Sequence, residues 1–132
     1  MPKGNRGGKN GATTGYYRTV DRFEDAKVIE PIEDKTSSLP RRSHSPNAIY
    51  IYKNKKGEKK SVGFYNKYRE LEIEINIDHG HIIKHHGKTV GKLKKGIPHI
   101  HFIRGGRNSN TRYLTKKESK KYGKYISFMK GK

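Results

Sequence analysis

The chain has 132 residues and no cysteine, and its 31 basic and 12 acidic residues give it a net charge of +19. The lack of cysteine excludes a disulfide framework and a thiolate metal site. Apolar runs stay far short of the roughly 18 residues of a membrane span, and residues 1–15 lack the apolar core of a signal peptide. We therefore predict a protein without a membrane segment, located in the cytoplasm or in a virion.

The positive charge is concentrated in the C-terminal part of the chain. Residues 79–132 contain 15 basic residues and one acidic residue, residues 47–78 contain seven and five, and residues 1–46 contain nine and six. Such a charge excess attracts phosphate polyanions, which release their counterions on binding. The composition predicts a nucleic acid as the partner.

Residues 1–46 are predicted to form a flexible basic arm and a linker. Five glycines and three basic residues within 1–15 are typical of a disordered arm. Residues 16–33 form a mixed segment, in which we expect a short strand or a helical turn that ends at Pro31. Serine and proline enrich residues 34–47, which indicates a loop or linker. We expect a single antiparallel-sheet domain over residues 47–132.

The residues after this linker carry the pattern of a sheet. β-branched and aromatic runs at 48–53 and 60–65 flank a turn with asparagine and glycine, which predicts a hairpin. Residues 71–77 alternate apolar and polar side chains, as in a strand with one buried face. Segments 81–85 and 98–104 predict two more strands, with a hairpin or loop between them.

A C-terminal helix is predicted to begin after Thr115. Thr115 as N-cap and Glu118 form a capping box, and Gly123 is expected to end the helix after about two turns. Residues 125–130 are then a candidate last strand. The predicted fold is α+β: an antiparallel β-meander of four to six strands with a short C-terminal helix and a disordered basic N-terminal arm.

Six of the seven histidines lie between residues 79 and 101. Histidine both binds metals and exchanges protons near neutral pH. In the predicted strand, His99 and His101 share one face and Ile100 and Phe102 share the other, so that the Cα atoms of the two histidines are about 6.5–7 Å apart. This pair is the centre of the candidate site.

A first interpretation is a metal-dependent nuclease. Two histidines in this spacing are a common chelating pair, and a third ligand from His79, His81, His85 or Asp78 would complete an open, catalytic-type zinc or manganese site. The His-hydrophobic-His element also resembles the signature of the HUH endonucleases, in which two histidines hold a divalent metal and a tyrosine attacks DNA. That resemblance implies Tyr122 or Tyr125 as the nucleophile.

A second interpretation is RNA cleavage without a cofactor. The reaction needs a base for the 2′-hydroxyl proton, an acid for the leaving oxygen and a cation for the developing charge. His99, His101 and Arg112 are residues of the required types, and Tyr113 lies beside them. Seven further basic residues are candidates for nucleic-acid contacts: Arg104, Arg107, Lys92, Lys94, Lys95, Lys116 and Lys120.

Residues 69–125, from LEIEINIDHGHII through GIPHIHF to NTRYLTKKESKKYGKY, resemble known toxin domains. These are the small basic domains of bacterial polymorphic toxins and phage head-associated proteins, many of them with the barnase/EndoU/colicin/RelE-like ribonuclease fold. The resemblance implies a catalytic set of His99, His101, Arg112 and Tyr113 on the exposed face of a sheet. It also implies a phage or mobile-element origin and, for a toxin, a cognate inhibitor.

A third interpretation is a nucleic-acid-binding protein without catalytic activity, of the ribosomal or virion-packaging kind. Aromatic faces among cations commonly hold single strands. Five aromatic residues lie between lysines in this sequence: Tyr50, Tyr52, Phe64, Tyr65 and Tyr68. Because each strand buries one face, about half of these must instead belong to the core.

Overall fold

The computed structural model describes residues 17–32, 38–77, 81–85, 88–93, 97–105 and 107–131. Its strands are Tyr17–Phe23 (β1), Ala26–Pro31 (β2), Ile49–Lys53 (β3), Lys59–Tyr65 (β4), Leu71–Asn76 (β5), His81–His85 (β6), Lys88–Leu93 (β7), His99–Arg104 (β8) and Arg107–Tyr113 (β9). One helix, Lys116–Met129 (α1), follows them. Within these residues, no helix has the length and apolar character needed to cross a membrane.

Seven strands form one sheet in the order β1-β2-β3-β4-β5-β8-β9, and β6 and β7 pair with each other in a separate hairpin. Every neighbouring pair in the large sheet is antiparallel except β2 and β3, which are parallel. A sheet followed by a C-terminal helix is therefore confirmed. The predicted four to six strands are too few, and the sheet is mixed rather than purely antiparallel.

The strands β1 and β2 come from residues 17–31, where the sequence predicted one short strand or a helical turn ahead of the sheet domain. The structure has two strands here, and both belong to the sheet. In β1, residues 18–22 are exposed, so this edge strand carries no apolar alternation that could reveal it. β2 buries Ala26, Val28 and Ile29 against its neighbours. The sheet thus begins before the predicted boundary near residue 46, whereas residues 1–16 of the predicted arm lie outside the described residues.

The two faces of the sheet are covered by different parts of the chain. On the helix face, three residues of α1 pack with the apolar side chains of the central strands; the buried set is Ala26, Val28, Ile51, Val62, Ile75, Ile100, Tyr122, Tyr125 and Met129. On the opposite face, Leu39 packs among four buried tyrosines, Tyr17, Tyr50, Tyr52 and Tyr65, together with Ile29. Burial of such large side chains contributes roughly 1.5–3 kcal/mol each.

The predicted capping box at the start of α1 is present. The Thr115 hydroxyl accepts a hydrogen bond from the Glu118 N–H, and the Glu118 carboxylate accepts one from the Thr115 N–H. The helix does not end at Gly123 but continues to Met129, so the predicted last strand is wrong. Glycine costs a helix only about 1 kcal/mol relative to alanine, which is less than the burial of Tyr125 and Met129 returns.

Candidate functional site

The predicted histidine pair lies in β8, on the sheet face opposite α1. In the sheet register, His101 stands between Glu74 of β5 and Thr111 of β9, and its Nδ1 is 2.9 Å from the Thr111 hydroxyl oxygen. The ring centroids of His99 and His101 are 5.0 Å apart, with an interplanar angle of 69°. Ile100 between them joins the core under α1, as strand alternation predicts.

Burial distinguishes this pair from the exposed catalytic histidines that the sequence predicted. His99 is 0% exposed and His101 is 6% exposed. His99 is in register with Asn76 of β5 and with Tyr113 of β9. Tyr113 is 38% exposed. Among the predicted catalytic residues, it is the one that pairs with a histidine in the sheet register and also reaches solvent.

Arg112 is not brought to the histidines, contrary to the predicted catalytic set. It is in register with Ile100 and lies on the helix face, because consecutive residues of a strand point to opposite faces. Its guanidinium donates hydrogen bonds of 2.7 and 2.8 Å to the two carboxylate oxygens of Glu118 and lies 5.1 Å from the Phe102 ring centroid. The hydrogen bonds from Arg112 lower the pKa of Glu118 to about 2.

The tyrosines of the HUH-type interpretation are also on the wrong face. Tyr122 and Tyr125 are buried between α1 and the sheet, on the side away from the histidine pair. The Tyr125 hydroxyl donates a 2.6 Å hydrogen bond to Asp25, and burial, with that hydrogen bond, raises the pKa of Tyr125 to about 12. Neither tyrosine is placed to act with His99 and His101.

The described part of the chain contains no set of ligands for the predicted metal site. Those residues contain no group of three His, Cys, Asp or Glu side chains that could hold a metal ion. Asp78 and His79 lie outside the described residues. His81 and His85 are the end residues of β6, where the structure describes only the backbone, and β6 pairs with β7 rather than with the histidine strand.

The predicted nucleic-acid-binding residues fall in three places. Arg104 and Arg107 are exposed and face each other across the β8–β9 turn. Lys116 and Lys120 are exposed on α1. Of the remaining predicted residues, Lys92 lies in β7, of which only the backbone is described, and Lys94 and Lys95 lie outside the described residues.

Four exposed lysines form a strip along the solvent side of α1, here termed the lysine face: Lys116, Lys117, Lys120 and Lys121. At roughly 100° per residue they span an arc of about 140°, opposite the buried side chains of the helix. Glu118 is the one acidic residue of α1, and it points toward the sheet, where Arg112 holds it. The lysine face therefore carries no neutralising acid on its own helix.

Two members of this strip, Lys117 and Lys121, were not predicted from the sequence. The signal was available, because the pair Lys-Lys recurs four residues later and residues at this spacing are neighbours on a helix. Lys124 extends the strip by one turn, and its ammonium group lies 2.8 Å from the carboxylate of Glu24 in the β1–β2 turn.

Comparison with known proteins identifies no relative of this chain: no family model, no curated protein and no solved structure matches it. The resemblance of residues 69–125 to toxin ribonucleases is thus neither supported nor opposed. Function has to be argued from the chemistry of the sites themselves.

Proposed function

We propose that this protein binds nucleic acid, with RNA as the expected form, and that the lysine face of α1 is its principal phosphate-binding surface. The observation that carries the proposal is the separation of charge on α1. Four ammonium groups face solvent, and the acid of the helix is turned inward and paired with Arg112. Within the described residues, none of the four lysines has a carboxylate at ion-pair distance.

The overall charge supports the same proposal. A net charge of magnitude about 2–8 suffices to keep a small domain soluble, and this chain carries +19. Lysines that meet phosphates release condensed counterions, and this gain in entropy supplies most of the affinity of sequence-independent binding. The exposed Arg104 and Arg107 form a second cationic group at the β8–β9 turn.

Fluorescence anisotropy with labelled RNA and DNA, single- and double-stranded, tests this function. Four phosphate contacts on the lysine face predict a loss of affinity of about 50- to 150-fold between roughly 50 and 200 mM salt. Binding that does not depend on salt, or no binding at low salt, would contradict the proposal. The comparison of RNA with DNA shows whether the protein discriminates between them.

The close approach of the two imidazoles favours a second candidate function, metal-independent RNA cleavage by His99 and His101. It is the weaker candidate, because both rings are buried and Arg112 is on the other side of the sheet. Incubation with labelled RNA in EDTA tests it, with His99→Gln and His101→Gln as variants. Cleavage that both variants lose, while they bind RNA and unfold like the wild type, supports the nuclease; binding without cleavage excludes it.

A further inference from the structure

A cleft on the sheet face opposite α1 borders the cluster of buried tyrosines, here termed the tyrosine cluster: Tyr17, Tyr50, Tyr52 and Tyr65. The cleft has a volume of about 610 Å³, which is within the range of roughly 300–1,000 Å³ found for small-molecule sites. Its walls come from the segment of residues 38–42, from the β4–β5 turn, from β5 and from the end of β8 with Gly105. Six charged residues line it: Arg41, Arg42, Arg104, Glu70, Glu72 and Glu74.

The charges of this cleft suit a ligand that offers both an anion and hydrogen-bond donors. Three arginines and three glutamates leave the lining without net charge, unlike the lysine face. The Arg42 Nη1 and Glu70 Oε2 atoms lie 4.0 Å apart, so these two charges partly neutralise each other. Glu72 and Arg104 have no ion-pair partner in the described part of the chain, and both also line an adjoining hollow of about 550 Å³.

An exposed aromatic ring stands on the turn next to this cleft. Tyr68, in the β4–β5 turn, is 63% exposed, and the Lys67 ammonium group lies 5.2 Å from its ring centroid. The turn is held in place, because the Asn66 side-chain oxygen accepts hydrogen bonds from the N–H groups of Tyr68 (2.8 Å) and Glu70 (3.0 Å). Arg42, a residue of the cleft lining, donates a 3.3 Å hydrogen bond to the Tyr68 carbonyl.

Of the five aromatic residues that the sequence predicted as candidates for base stacking, Tyr68 is the one with an exposed ring. Tyr50, Tyr52 and Tyr65 are buried in the tyrosine cluster, and Phe64 packs against the core under α1. An exposed ring on an ordered turn, with a cation beside it, has the properties of a stacking platform for single strands. Tyr68 alone of the five has this exposure.

We propose that this cleft binds an unpaired nucleotide of a single strand. Arg104 contacts its phosphate, the Glu72 carboxylate accepts a hydrogen bond from the exocyclic amino group of its base, and Tyr68 stacks on the adjacent base. A carboxylate accepts from the amino group of cytosine, whereas uracil presents a carbonyl oxygen at the same ring position. The site therefore selects cytosine over uracil. This inference rests on the proposed nucleic-acid binding and adds a base preference to it.

Affinities for oligocytidylate and oligouridylate of equal length, measured by anisotropy at one salt concentration, test the site. We expect the wild type to prefer oligocytidylate about tenfold, since a hydrogen bond to a charged group is involved. Glu72→Gln should bring the ratio close to one, because the glutamine amide can donate to the uracil carbonyl. Asp21→Asn, a loss of one exposed carboxylate far along the sheet on β1, is the matched control and should preserve the preference.

The stacking role has its own pair of variants. Tyr68→Ala should weaken both oligonucleotides by about fivefold or more, and Tyr68→Phe should bind like the wild type, because stacking needs the ring and not the hydroxyl. Equal wild-type affinities for the two oligonucleotides, or a preference that survives Glu72→Gln, overturn the cleft assignment while salt-sensitive binding by the lysine face stands. If neither oligonucleotide binds, the cleft assignment fails; the proposed function fails as well if duplex RNA and DNA also do not bind at low salt.

Discussion

Replacement of Lys120 and Lys121 by glutamine is the sharpest test of the lysine face. Both side chains are exposed, and glutamine has nearly the helix propensity of lysine, so α1 should form normally. Each phosphate contact contributes about 0.7–0.9 to the slope of log affinity against log salt, so the double variant should lose about 1.4–1.8 of that slope. If the double variant and the wild type bind equally at about 1 M salt, the variant should bind about 25- to 60-fold more weakly than the wild type at about 0.1 M salt.

The assay is an anisotropy titration with labelled RNA over a series of salt concentrations. The matched control is the double variant Lys55→Gln/Lys56→Gln in the exposed turn between β3 and β4, which removes the same charge elsewhere. We expect its slope to change much less. If both double variants lost the same slope and the same affinity, net charge alone would account for binding, and the lysine face would have no special role.

Two further predictions concern the packing that positions these surfaces. Arg112 lowers the pKa of Glu118 from 4.5 to about 2, so the pair stabilises the fold above pH 4.5, and this stabilisation is lost as the pH falls toward 2. In urea unfolding, the Glu118→Gln variant should therefore lose less stability than the wild type over that pH interval. An equal loss in both proteins would refute the coupling. Gly63→Ala should lower the free energy of unfolding by about 1–3 kcal/mol, because the new Cβ would lie 2.7 Å from Leu39 Cδ1 and 2.8 Å from Leu71 Cδ1. An unchanged midpoint of urea unfolding would contradict this and show that the two leucines move aside.

Local patterns in the sequence predicted the elements whose signals are local. The alternation in residues 71–77 and the hairpin signal before it correspond to β3, β4 and β5, and the three-residue spacing of Thr115 and Glu118 corresponds to an intact capping box. The segment of β1 and β2 was predicted only as one short strand or a helical turn, because the exposed residues 18–22 of the edge strand β1 carry no apolar alternation. The length of α1 was missed because its last turns are held by the core rather than by helix propensity.

The candidate sites show the same difference between features set by local sequence and features set by tertiary contacts. The sequence by itself determined the charge excess, the basic residues Lys116 and Lys120 of the helix and the shared face of His99 and His101, since each follows from composition or from the repeat of a single element. Only the tertiary structure decided that the two histidines are buried, that Arg112 is paired with the helix, and that Tyr68 stays exposed. These outcomes depend on which strands become neighbours and on what covers each face of the sheet, and such contacts between residues far apart in the chain leave no periodic signal in the sequence.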